Sequence, residues 1–280
     1  FSLREAALFG FGHRAESDFD GVLRLAFCVD GDYDTPAAVA VRQSGEQLEL
    51  TITSAASVGV VAAQVGRVIS CTPAARDYLA LGERDPVIGA LQRAAPGLRP
   101  VLFHSPYEAA VWSVLSARRA RAQGIGLRER LNREHGTTFT VAGREISCLP
   151  GPSRLLQVDA LPGLPADRIP RLHAIAQRAL DGRLSVEHVQ RLGQAAAEAE
   201  LQTLPGIGPF YSQLISMRGS GLDDALPLAE AKAREVAGRL YGLDVSGDAS
   251  YAALAERWRP VRAWATVLIR ATAERSPTPA

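Results

Sequence analysis

The segment Leu201-Gln-Thr-Leu-Pro-Gly-Ile-Gly-Pro-Phe210 limits what this chain can fold into more than any other. A helical pattern runs into it, two glycines interrupt that pattern, and Pro209 restarts a helix at the first position, where a missing N–H costs little. Gly206 and Gly208 admit backbone conformations closed to other residues. Backbone amides at such a helix start suit a phosphate. The hairpin carbonyls of Leu204 and Ile207 can hold a monovalent cation, Na+ or K+, that bridges to the same phosphate. The alternative is an ordinary αα-corner, since Leu-Pro-Gly turns are common.

The hairpin lies in a stretch that reads as almost wholly helical from Ser105 onward. Ser105-Pro106 with Glu108 supplies an N-cap, a proline at N1 and an acid at N3. Tyr107, Val111, Val114 and Leu115 follow as an apolar stripe. Further helices are expected over 125–135, 153–157, 165–180, 186–200, 209–217, 228–241 and 251–274. Residues 137–147 read as a strand pair or loop, and 276–280 as a frayed tail. Residues 1–100 have a different texture. Strands are expected at 22–30, 37–43 and 47–53, where Leu48, Leu50 and Ile52 alternate with polar neighbours, and helices near 57–69, 74–81 and 86–94. Pro96-Gly97 and Pro100 then divide a mixed α/β domain, 1–100, from a helical region, 101–280.

A chain of 280 residues, 47% hydrophobic and 22% charged, can bury a proper core in one large or two medium domains. Its longest apolar run, 58–63, is far too short to span a bilayer, and no signal-peptide pattern opens the sequence. A cytoplasmic monomer without membrane contact is therefore expected. Cys28, Cys71 and Cys148 have no metal-site spacing, so free thiols, no side-chain metal site and no cofactor are expected. A net charge of +1 does not announce a nucleic-acid partner, but the arginines are clustered. Arg118, Arg119, Arg121, Arg128, Arg130 and Arg133 form one group, and Arg257, Arg259 and Arg262 another. Such groups either bind phosphates locally or form solvated helix faces.

Taken in order, several motifs resemble one family. They are Gly97-Leu-Arg-Pro100 with Ser105-Pro-Tyr-Glu-Ala109; Leu149-Pro-Gly-Pro-Ser153; Leu164-Pro-Ala-Asp-Arg168; Leu180-Asp-Gly-Arg-Leu184; the hairpin; Asp223-Asp-Ala-Leu-Pro227; and Ala255-Glu-Arg-Trp-Arg-Pro-Val-Arg-Ala-Trp264. The chain resembles the helix-hairpin-helix DNA glycosylases and, nearly end to end, the DNA-3-methyladenine glycosylase II family. The resemblance implies an α+β fold: a small antiparallel sheet with helices, then two all-α helical domains with a cleft between them. It also implies base-excision repair. An alkylated or otherwise damaged base would be flipped out of double-stranded DNA and its N-glycosidic bond hydrolysed, while a carboxylate stabilises the sugar cation. The alternative is a paralogue that binds distorted DNA without excising a base.

Carried over residue by residue, the resemblance puts Glu230 where the family has a catalytic aspartate. Glutamate extends the carboxylate by about 1.5 Å, and misplacement near 1 Å can cost on the order of a hundredfold in rate. The same acid also fits as a first-turn charge of helix 228–241, favoured by the helix dipole. Pocket positions that hold aromatics in the family carry Phe210, Leu214 and Arg270. Trp112 is the remaining pocket candidate, although Trp112, Trp258 and Trp264 also fit core spacing. An arginine in the pocket would repel a cationic alkylated base. The family's Gly-Gln pair and wedge fall at Ser116, Ala117 and Arg118, so Arg118 either fills the gap left by the flipped base or touches a phosphate. Lys232, the only lysine, is expected on DNA, facing away from Glu230. Phe210 replaces the Schiff-base lysine of strand-cutting relatives, which implies a monofunctional enzyme.

Overall fold

The computed structural model describes residues 1–9 and 19–275, and the tail expected at 276–280 lies outside the described residues. Side chains alternate across a strand, so β1 (Leu23–Val29) buries Leu23, Leu25 and Phe27 on one face. It pairs antiparallel with β2 (Asp32–Ser44), which pairs with β3 (Gln47–Ser54), in the order β1-β2-β3. Leu23 lies opposite Val41 and Leu25 opposite Val39. β2 starts five residues before the expected Ala37, because the turn after Val29 already sets Asp32 opposite it. Residues 137–147 form a strand pair, β4 (Thr138–Val141) and β5 (Arg144–Ser147). This hairpin lays Val141, Phe139 and Ile146 over Ala38 and Ala40 on the outer face of the sheet.

The inner face of the sheet meets α1 (Leu3–Ala7), α2 (Val58–Val68), α3 (Ala74–Arg84) and α4 (Pro86–Ala94). The helical region follows. It comprises α5 (Pro106–Ser116), α6 (Arg121–His135), α7 (Pro152–Leu155), α8 (Ile169–Leu180), α9 (Val186–Leu201), α10 (Pro209–Leu214), a π-helical turn at Ile215–Gly219, α11 (Ala231–Tyr241), α12 (Asp248–Ala255) and α13 (Arg262–Arg275). Ser105 caps α5 as expected, its Oγ accepting from the Glu108 amide at 3.1 Å. Every residue from Pro106 to Leu115 is buried, since α6, α8, α10 and the π turn pack around α5. The single helix expected over 251–274 is broken. Pro260 has no N–H and holds Arg259 extended, so α12 and α13 are separate.

Packing does not follow chain order. One core joins the sheet and α1–α4 to residues 217–271, including Trp258 and Trp264. The other is built by residues 103–215, with Cys28 and Tyr33 reaching in from the sheet region. The chain leaves the first core, builds the second and returns, so α10 and α13 meet from opposite sides. Among the described residues no helix is long and apolar enough to cross a membrane, and the three cysteines are free.

The return passes through Gly219, where a Cβ would stand 2.8 Å from Pro106 Cα. Gly219→Ala should therefore lower stability by about 1–3 kcal/mol, the usual range for overpacking a tight contact. Chemical denaturation measures this, and an unchanged midpoint would show that the α5 crossing is looser than described.

Candidate functional site

Two buried aliphatic side chains pin the hairpin. Leu204 and Ile207 each enter the second core, worth roughly 1.5–3 kcal/mol apiece on burial. Gly206 has φ +89, and a Cβ there would stand 2.9 Å from the Arg171 guanidinium. The positive φ is what calls for glycine, since the guanidinium ends a flexible side chain that can shift. Gly208 corrects the sequence expectation: its φ of −97 and ψ of −173 are extended backbone open to any residue. A Cβ at Gly208 would meet nothing within 4 Å, so what this glycine preserves is an open approach to the start of α10. The Leu204 carbonyl accepts the Ile207 amide at 3.1 Å, which leaves its second lone pair for a further partner.

Beside the hairpin, Ser116 Oγ and Tyr211 Oη lie 3.4 Å apart and join the end of α5 to α10. Arg118 follows at once. It is exposed and has φ +57, a conformation uncommon for a residue with a side chain and concentrated at functional sites. Arg168 and Arg171 of the neighbouring segment add charge that sequence reading missed. Burial holds the Arg168 guanidinium below its ordinary pKa, and Arg171, Arg119 and Arg118 push the same way, against Asp167.

Behind Phe210 lies a cavity of about 50 Å³ between α10 with its π turn and α13. Phe210, Gln213, Leu214, Met217 and Arg218 line one wall and Thr266, Val267 and Arg270 the other, with Pro227 and Glu230 between them. The fold thus brings together Phe210, Leu214, Glu230 and Arg270. Sequence reading missed Gln213, Met217 and Arg218, although counting from Phe210 gives the i, i+3, i+4, i+7, i+8 stripe of one helix face. The π turn sits within that stripe, a distortion frequent at functional sites.

Glu230 does not lie inside the first turn of its helix. It is the residue before α11, with φ −86 and ψ +80, and its side chain makes no capping bond. No capping hydrogen bond supports the first-turn alternative, although the acid still stands at the helix start, where the dipole favours it. Its Oε1 lies 3.7 Å from Arg270 Nε, and both side chains are about four-fifths buried. At an effective dielectric near 20 such a pair attracts by on the order of 4 kcal/mol before desolvation.

The loop that delivers Glu230 has almost no regular structure, so side chains satisfy its backbone. Gln194 accepts from the Leu226 amide at 3.0 Å and donates to the Leu226 carbonyl at 2.8 Å. Gln213 accepts from the Ala229 amide at 2.8 Å, and Arg262 donates to the Asp224 carbonyl at 2.7 Å. Asp224 is bound by Arg259 and Arg262, and Asp223 accepts from Trp264 Nε1 at 2.7 Å. Burial raises the Asp223 pKa despite that bond. Both aspartates are engaged by residues that hold the loop, and of the three acids Glu230 is the one that lines the cavity.

Other expectations need correction. Trp112 is 6% exposed and packs in the second core against Gly124, outside the cavity lining, because α5 is buried on all sides. Lys232 itself lies on the exposed face of α11, away from the cavity as expected, and its ammonium stands 2.9 and 3.0 Å from the Glu235 carboxylate one turn on, a surface pair that leaves a phosphate contact open. Arg128 does not face solvent with its cluster. Its Nη1 is 3.5 Å from Glu108, which also holds His104, and burial lowers its pKa. Arg130 donates to the Pro162 carbonyl. Arg259 and Arg262 bind Asp224 and Glu256, while Arg257 lies over the Tyr241 ring. Among the described residues no three His, Cys, Asp or Glu side chains could hold a metal ion.

No family model matches the chain. Over 78 residues it is 40% identical to a probable bifunctional transcriptional activator/DNA repair enzyme AlkA of Mycobacterium tuberculosis. That stretch is 28% of this chain and only 15% of the relative. The fold is similar to that of a 3-methyladenine DNA glycosylase from Archaeoglobus fulgidus, with a TM-score of 0.74 at 17% identity over 90% of this chain and 86% of that one. A Clostridium acetobutylicum 8-oxoguanine glycosylase/lyase, solved with DNA containing cytosine opposite 8-oxoguanine, gives 0.73 at 16% identity over 98% and 92%. The Schizosaccharomyces pombe 3-methyladenine DNA glycosylase Mag1, solved with abasic DNA, gives 0.56 at 19% over 71% and 97%.

Gln194→Leu leaves the Leu226 amide without its acceptor, while the Leu226 carbonyl keeps the Leu228 amide at 3.1 Å. The expected cost is about 1–3 kcal/mol if the amide stays buried. Hydrogen exchange should show faster opening at 222–230 than elsewhere, whereas uniform protection would contradict the clamp.

Proposed function

We propose that the chain is a helix-hairpin-helix DNA glycosylase, as its fold similarity to solved DNA glycosylases and its 78-residue likeness to a DNA repair enzyme suggest, and that it hydrolyses the N-glycosidic bond of a damaged base flipped from duplex DNA. The observation that carries this reading is the placement of Glu230, the one carboxylate among the described residues that lines the cavity between the hairpin helix and α13. The hairpin takes a backbone phosphate at the open approach beside Gly208, and Arg118, Arg119, Arg168 and Arg171 add positive charge along the strand. Arg118 supports the duplex where the base has left. A monovalent cation on the Leu204 and Ile207 carbonyls, an all-oxygen site suited to such an ion, would strengthen the phosphate contact.

In the reaction the glycosidic electron pair departs with the base and the sugar takes the positive charge. Glu230 faces that charge, and water adds to the sugar carbon and gives up a proton. Phe210 cannot form a Schiff base, so the strand stays intact. A second reading, binding without excision, draws on the Glu230–Arg270 pair. That attraction, on the order of 4 kcal/mol before desolvation, acts on the same carboxylate charge that the chemistry needs. A carboxylate held by Arg270 would lose much of its service.

Screening lesion-bearing duplexes for abasic-site formation tests the proposal. Glu230→Gln should reduce excision by at least about a hundredfold while DNA affinity holds. An active wild type with an equally active Glu230→Gln would remove Glu230 from the chemistry. Absence of released base from every lesion, with tight binding kept, would favour the second reading.

The hairpin is tested separately. Gly208→Val keeps an allowed backbone conformation but fills the approach, so duplex affinity should fall while stability is unchanged. Gly206→Val should lower both. Full affinity in folded Gly208→Val would show that DNA does not meet the hairpin.

A further inference from the structure

The cavity has a charge pattern that its size makes consequential. Phe210, Leu214, Met217, Pro227 and Val267 give it apolar walls. The polar side chains are already engaged. Gln213 spans the Ala229 amide and Glu198, and Thr266 Oγ1 donates to the Arg262 carbonyl. What remains is two guanidiniums, Arg218 and Arg270, against one carboxylate, Glu230. Arg218 is fixed: it is 1% exposed, lies 5.5 Å from the ring centres of both Phe9 and Phe103, and donates to the Val101 carbonyl. Arg270 is held less completely: its side chain is about one-fifth exposed, and its Nε lies 3.7 Å from Glu230 Oε1. A cavity of about 50 Å³ holds only a few water molecules at roughly 10–15 Å³ each on the same measure. A base seated there presses against the wall side chains.

We infer that Arg270 is a specificity-determining residue: it admits an uncharged base presenting a hydrogen-bond acceptor, rejects a cationic base, and frees Glu230 only when that acceptor takes over its guanidinium. The inference rests on the base-excision reading of the same cavity. Two positive charges in an apolar, water-poor space disfavour a third. A cationic base would also compete with Arg270 for Glu230. An uncharged acceptor does the opposite. The guanidinium has five N–H donors and can exchange one charged contact for a hydrogen bond to the base. Its departure restores the full negative charge of Glu230 toward the sugar. Recognition of the base and release of the carboxylate are then one movement, and no bond to the protein is made or broken.

The test uses two lesions of one shape. A duplex carrying 2′-fluorinated 7-methylguanine presents a cation that resists hydrolysis, and 7-methyl-7-deazaguanine is its neutral isostere. Affinities are measured by fluorescence anisotropy at fixed salt, against undamaged duplex. The wild type should bind the neutral lesion at least about tenfold more tightly than the cation, a factor equal to about 1.4 kcal/mol. Arg270→Gln should bring the two within about threefold, Arg270→Lys should still reject the cation, and Glu230→Gln should keep or widen the preference. Wild-type preference for the cation, or an unchanged ratio in folded Arg270→Gln, overturns the inference. Binding of neither lesion above undamaged duplex overturns both the inference and the base-excision reading. A tenfold preference without base release in a parallel assay of cleavable lesions supports the inference and removes only the excision reading.

Discussion

The clamp on residues 221–230 decides where the cavity's carboxylate stands. Nearly every backbone group of that loop must find a partner outside a helix or strand, and buried groups without partners are costly. Turns within the loop supply some of those partners, Gln194 from α9, Gln213 from α10 and Arg262 from α13 supply others, and Asp223 and Asp224 tie the loop's side chains to α13. Three helices from two cores thus converge on one short segment. Glu230 follows it directly, outside the regular turns of α11, where its carboxylate reaches Arg270 instead of its own helix start.

The same return of the chain creates the cleft. Because residues 217–271 pack with the sheet while 103–215 form a separate core, α10 and α13 face each other across a seam. The hairpin lies at the start of α10 and the cavity along its side. A group gripped at Gly208 is therefore within the same short element as Phe210 and Leu214. The positive charge lies around Arg118, Arg168 and Arg171, which suits a polyanion even though net charge is only +1.

Local signals were legible in the sequence. The alternation of Leu23, Leu25 and Phe27, the Ser105 cap and the Leu204–Pro209 hairpin all rest on neighbours a few residues away. The gathering of Phe210, Leu214, Glu230 and Arg270 was reached through the family resemblance, and the helical stripe from Phe210 would have added Met217 and Arg218. Failures came where distant partners decide. Arg128 looks like its exposed neighbours until Glu108 appears beside it, and Trp112 looks like a pocket aromatic until α5 is seen to be buried all round. Gly208 and Glu230 misled because a residue type indicates which conformations it tolerates, not which one the fold selects.

The central claim is that the Glu230 charge faces a sugar cation. Relative affinity for two abasic-site analogues addresses it most directly, one with a cationic pyrrolidine ring in place of the sugar and one with a neutral tetrahydrofuran. An enzyme complementary to its transition state binds the charged analogue more tightly. With an uncharged, acceptor-bearing free base supplied alongside both duplexes to engage Arg270, the account predicts a preference of at least about tenfold for the pyrrolidine duplex in the wild type, lost in Glu230→Gln. Equal affinity for the two analogues in the wild type, or a preference that survives loss of the Glu230 charge, would contradict it.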